Sequence, residues 1–101
     1  MSILSRALRK ITAADKFPAE IVPASPQEIL KQANQFTGEG EIGVLGFDWG
    51  DWIVQFGVDK DKWYANFYKP STDEQGLYYE SKNKEITIRK LDQEMRRLQS
   101  Q

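Results

Sequence analysis

Between Trp52 and Lys69 large apolar residues recur at every second position, and a period of two commits the middle of the chain to antiparallel strands. On 52–58, Trp52, Val54, Phe56 and Val58 fall on one side, with Ile53, Gln55 and Gly57 on the other. On 63–69, Trp63, Ala65 and Phe67 oppose Tyr64, Asn66 and Tyr68. A four-residue turn at 59–62 sets Val58 opposite Trp63, Phe56 opposite Ala65 and Val54 opposite Phe67. A strand at about 41–47 extends the meander, and a four-residue turn over 48–51 sets Phe47 opposite Trp52, Leu45 opposite Val54 and Gly43 opposite Phe56. The stretch GFDWGDWIVQFGVDKDKWYANFYK, 46–69, holds all three tryptophans, three of the five phenylalanines and two of the four tyrosines. The spacing divides them. Trp52, Phe56, Trp63 and Phe67 belong to a core roofed by helices. Ile53, Gln55, Tyr64, Asn66 and Tyr68 make a second face, half aromatic and half polar.

The flanks read as helices and an extended strap. In 1–14, Ile3, Leu4, Ala7, Leu8 and Ile11 form an apolar stripe with Arg6, Arg9 and Lys10 off it, the pattern of a basic amphipathic helix. Pro18, Pro23 and Pro26 keep 15–25 extended, with Phe17, Ile21 and Val22 available for packing. Ser25-Pro26-Gln27-Glu28 combines a serine cap, a first-turn proline and a glutamate three residues after the cap. Ile29, Leu30, Ala33 and Phe36 make that helix's apolar face, and Thr37-Gly38 ends it. After Pro70, STDEQG reads as a polar loop, LYYE as the start of a fourth strand and SKNK as a turn. EITIR alternates, with Ile86 and Ile88 inward, and reads as a strand. Residues 90–101 are helical, with Leu91, Met95 and Leu98 in a narrow stripe suited to its own domain or to another helix.

The expectation is a single α+β domain, 1–101: an antiparallel sheet of four to five strands around the 41–69 meander, two N-terminal helices and one C-terminal helix. Its segments are the amphipathic helix 1–14, the strap 15–25, the helix and sheet 26–89, and the C-terminal helix 90–101.

Composition narrows the chemistry. The chain has neither cysteine nor histidine, which excludes disulfides, thiolate chemistry, Ser-His-Asp systems and the commonest zinc ligand. The formal charge is −1, so no global field draws in a polyanion. GEGEIG, 38–43, matches a dinucleotide-loop string but follows a helix and precedes a strand, the reverse of the order that motif needs. Asp48, Asp51, Asp59 and Asp61 cluster in hairpin turns, where aspartate bonds its own backbone, and DKDKW lacks the glycine and distal glutamate of a calcium loop. No catalytic residue, cofactor or metal site is expected. The N-terminus lacks a secretory core, and no apolar run approaches the roughly 18 residues a membrane span requires, so a cytoplasmic protein is expected.

These exclusions point to a non-enzymatic protein-interaction module: a small adaptor, an inhibitor or immunity-type protein, or an assembly subunit. The partner-binding residues are Ile53, Gln55, Tyr64, Asn66 and Tyr68 on the sheet and Leu91, Met95 and Leu98 on the last helix; the same surfaces suit a homodimer. The alternative is single-stranded nucleic-acid binding, with Tyr64, Tyr68, Tyr78 and Tyr79 stacking bases beside Lys62, Lys69, Lys82 and Lys84. Asp59, Asp61, Asp73, Glu74 and Glu80 dilute that basic patch.

Overall fold

The computed structural model describes residues 21–38 and 43–101; the amphipathic stripe of 1–14 and most of the proline strap lie outside them. The described chain runs β1 (Val22–Pro23), α1 (Pro26–Gln35), β2 (Gly43–Trp49), β3 (Trp52–Asp59), β4 (Lys62–Lys69), a 3-10 turn (Pro70–Thr72), β5 (Glu74–Ser81) and α2 (Lys84–Gln99). The five strands form one sheet in the order β1-β2-β3-β4-β5. The class is α+β, as expected, but the sheet is mixed: β1 pairs with β2 in parallel, Val22 with Phe47 and Pro23 with Asp48. Its fifth strand is therefore taken from the strap, whose prolines favour extended backbone, and not from EITIR.

α1 begins where its capping signals place it. Ser25 Oγ accepts the Glu28 amide at 3.2 Å, Pro26 opens the helix, and Phe36 closes it. Ile29 and Ala33 face inward at 0% exposure, with Leu30 and Phe36 packed around them.

The β3–β4 pairing is the expected one, from Val54 opposite Phe67 to Val58 opposite Trp63, and it continues to Asp59 opposite Lys62. The β2–β3 pairing differs. Phe47 meets Val54, not Trp52; Leu45 meets Phe56, not Val54; Gly43 meets Val58, not Phe56. Gly50 adopts φ 60°, so Gly50 and Asp51 alone reverse the chain and the ladder extends to Trp49 opposite Trp52. A shift of two residues exchanges partners without moving any side chain to the other face, so the core assignment is unaffected. β5 also starts earlier than LYYE, at Glu74, and a bulge between Asn66 and Tyr68 accommodates it.

EITIR is helical. Asn83 Oδ1 accepts the Ile86 amide at 2.9 Å, and the Asn83 carbonyl accepts both the amide and the hydroxyl of Thr87 at 3.1 and 3.0 Å. One cap thus satisfies the amides that open a helix, and that helix starts at Lys84, before the expected 90. Thr87, Leu91, Glu94 and Met95 form its buried face, while Ile86 stands 39% exposed, not inward. Five alternating residues carried too little burial to outweigh a continuous 87-91-95-98 stripe.

Both helices lie on the Phe56 face of the sheet. Phe47, Val54, Phe56, Ala65 and Phe67 close on Ile29, Ala33, Leu91 and Met95, all at 0–1% exposure. The Phe36 ring meets Phe56 and Trp63 edge-on at 6.4 and 6.2 Å. Lys84 joins three elements: its ammonium donates to the Asn34 and Phe36 carbonyls at the end of α1 and lies 5.2 Å from the Trp63 ring centroid.

A helical 84–89 makes Asn83 matter more than Ile86. Asn83→Ala is expected to lower unfolding free energy by about 1 kcal/mol, against under about 0.5 kcal/mol for Ile86→Ala. Urea unfolding of both variants checks it, and a strand at 85–89 would reverse the order.

Candidate functional site

The second face is built in rows across the sheet. Val44, Gly57, Tyr64 and Glu80 form one row; Gly46, Gln55, Asn66 and Tyr78 form the next; Asp48, Ile53, Tyr68 and Gln75 form the third. Glycine leaves room in the first row. A Cβ on Gly57 would stand 2.7 Å from the Tyr64 hydroxyl, so the phenol lies flat across the backbone of β3.

Three amides form a relay whose direction follows from its end. Gln75 Nε2 lies 3.1 and 3.2 Å from the carbonyls of Phe67 and Gly76, which fixes it as the donor nitrogen. It also donates to Asn66 Oδ1 at 2.7 Å, and Asn66 Nδ2 then donates to Gln55 Oε1 at 3.0 Å. That order leaves Gln55 Nε2 as the terminal donor, and it is buried with no acceptor among the described residues. A buried orphan of this kind costs about 1–3 kcal/mol.

The aromatic groups flank the relay. The Tyr64 and Tyr78 rings stack at 6.4 Å and 20°. Tyr78 donates to Glu80 Oε1 at 2.8 Å, Lys62 pairs with Glu80 Oε2 at 3.3 Å, and Tyr68 donates to Asp73 Oδ1. Tyr64, Tyr68, Tyr78 and Glu80 each take part in a further interaction besides these. At the β3–β4 turn the face opens into a cavity of about 260 Å3 walled by Asp59, Tyr64, Tyr78 and Glu80, with Lys60, Asp61 and Lys62 on its rim. Stacked rings beside carboxylates suit a cation.

Both phenols titrate above the ordinary tyrosine range. For Tyr64 burial is the main cause, followed by the charges of Tyr78 and Asp59. For Tyr78 burial again leads, followed by the hydrogen bond to Glu80 and the charges of Glu80 and Asp59. Both hydroxyls therefore remain O–H donors throughout the physiological range.

The sequence-predicted residues separate into two groups. Ile53, Gln55, Tyr64, Asn66 and Tyr68 do share one face, but the last four are only 1–3% exposed. Leu91 and Met95, at 0%, are consumed by the core, and Leu98 packs against it, so this stripe serves its own domain. Tyr79 points to the core side, where Lys90 lies 5.4 Å from its ring centroid; Tyr78 alone of that pair joins the face. Sequence reasoning missed Gln75, which sits in a stretch with loop composition, saw Glu80 only as a diluting charge, and saw Asp59 as that and as a turn aspartate. No local signal marks Gln75; the bulge that positions it is a property of the pairing. Among the described residues no group of three acidic side chains could hold a metal ion, and no helix is long and apolar enough to cross a membrane.

Comparison with protein-family models, curated proteins and solved structures finds no match for the chain.

The raised phenols set a pH dependence. A group whose folded pKa exceeds its unfolded value of about 10 contributes stability that is complete below pH 10 and is lost as pH rises towards the folded value. Unfolding free energy is therefore expected to fall above about pH 10. In a phenolate absorbance titration Tyr64 and Tyr78 ionise late, and Tyr78→Phe removes part of the late step.

Proposed function

We propose that the chain is a non-enzymatic protein-interaction module whose binding surface is the Tyr64–Tyr68 face and its acidic mouth at Asp59 and Glu80. The observation that carries the reading is the amide relay. Three side chains on three strands are held in one orientation and end in a buried donor that has no acceptor among the described residues. That donor is buried, so a partner's backbone carbonyl reaches it only where the face opens, whereas the stacked tyrosines beside two carboxylates at the open mouth suit a lysine or arginine from the same partner. An adaptor, an inhibitor or an assembly subunit would each use such a surface, and a second copy of the chain is a candidate partner.

The nucleic-acid alternative draws little support from the lysines. Lys62 is tied to Glu80 and Lys82 to Asp61, while Lys69, Lys84 and Lys90 lie over Trp52, Trp63 and Tyr79 on the core side. A strand's phosphates would meet Asp59, Asp61 and Glu80 at the mouth.

A tagged full-length chain drawn through its native lysate, with and without nuclease, tests the reading. Proteins that survive nuclease are expected to fall about tenfold in recovery with Ile53→Arg or Glu80→Lys, a change of about 1.4 kcal/mol in binding. Lys31→Ala, on the exposed side of α1, should leave recovery unchanged. Recovery unaffected by either face variant would reject the site, and partners lost with nuclease would favour the alternative.

A further inference from the structure

We propose, resting on the interaction-module reading above, that the partner enters as an extended, basic segment that pairs with the outer edge of β5 as a sixth strand. That reading supplies the Asp59–Glu80 mouth; the edge supplies the form the partner takes.

The two edges of the sheet are built differently. β1 is two residues long and one of them is Pro23, so that edge offers little ladder to a further strand. β5 runs eight residues, Glu74–Ser81, with no proline and no lysine. No strand lies beyond it among the described residues. β3 and β4 each hold five consecutive buried residues, whereas β5 holds none. Past the bulge, regular pairing with β4 runs from Tyr78 to Ser81 and keeps the outward N–H and C=O groups in line for another ladder. Tyr78 and Glu80 keep their own side-chain interactions, and backbone pairing makes no demand on them.

Two cavities among the described residues open beside this one strand, at opposite ends and on opposite faces. Near Glu80, on the tyrosine face, is the mouth between Asp59, Tyr64 and Tyr78. Near Glu74, on the helix side, a cavity of about 440 Å3 lies between Gly76, Leu77, Trp52 and the last turns of α2 at Arg97 and Leu98. An extended chain sends successive side chains to opposite faces, so one segment laid along β5 reaches both cavities. Strand addition of this kind draws affinity from the main chain and selectivity from such pockets.

Charge selects the segment. Glu74 and Glu80 are exposed near the two ends of the edge. The charged residues of the mouth, Asp59, Lys60, Asp61, Lys62 and Glu80, carry a net charge of −1, and the stacked rings of Tyr64 and Tyr78 lie among them. A lysine or arginine on the tyrosine-face side of the segment therefore meets carboxylates and an aromatic wall, whereas an acidic residue there meets repulsion. A second copy paired antiparallel about Leu77 would set Glu74 opposite Glu80 twice, an arrangement of like charges that destabilises.

Phage-displayed random peptides of β5's own length, eight residues, selected against the full-length protein, provide the test. Enriched peptides are expected to lack a central proline and to carry lysine or arginine at one fixed position. A synthesised winner, added to nitrogen-15 protein, should slow hydrogen exchange at alternate β5 amides, those turned away from β4, and leave the α1 amides unchanged. Glu80→Lys should weaken that peptide about tenfold, and exchanging the peptide's fixed cation for glutamate should recover the loss. Selection that enriches nothing, or peptides that bind without protecting β5, would overturn the proposal. So would outer β5 amides already protected in the protein alone; their release on dilution would then assign the edge to a second copy. Lysate partners that depend on Ile53 while no peptide reaches β5 would leave the interaction reading standing without the sixth strand, so the two fail separately.

Discussion

The pairing of β3 with β4 is the constraint on which the rest depends. Its register places Val54, Phe56, Ala65 and Phe67 on one side and Gln55, Tyr64, Asn66 and Tyr68 on the other, all of them buried. One side is apolar and takes both helices; the other is polar and aromatic and is bonded across strands from Gln75 to Gln55, whose Nε2 is left over. A slip of one residue would put Gln55 and Asn66 among Ile29, Leu91 and Met95, where their amides would have no partners. Burial on both faces therefore selects one register far more firmly than a half-solvated hairpin could.

Much of this arrangement was legible in the sequence because alternation and capping are local signals. The β3–β4 register followed from large residues meeting large or small ones in turn, and the serine cap of α1 from four consecutive residues. What escaped depends on longer-range information. The β2–β3 register turned on whether Gly50 adopts a positive φ, which decides between a two-residue and a four-residue reversal. EITIR alternates locally, but its burial is decided by Leu91 and Met95 beyond it and by the Asn83 cap before it. Gln75 became part of the site only because a bulge places a residue of loop-like composition in a strand. The tyrosine face was recognised as a unit, whereas its low exposure could not be read from the strands alone.

The functional account rests on a tension within that face. The Gln75–Asn66–Gln55 relay orders three side chains and leaves at its end a donor with no acceptor among the described residues. A fold selected for stability alone would replace such a group with an apolar residue of similar volume, at a gain of up to a few kcal/mol. Retaining it is consistent with a surface that exchanges occupants.

The most direct test is the exchange rate of the Gln55 and Asn66 side-chain amide protons, followed by NMR with the exposed Gln27 amide as an internal reference. A closed, relayed face predicts slow exchange at both residues and two distinct Gln55 amide protons. Exchange at Gln55 and Asn66 as fast as at Gln27 would mean that the face is open to water, and it would contradict both the burial and the role built on it.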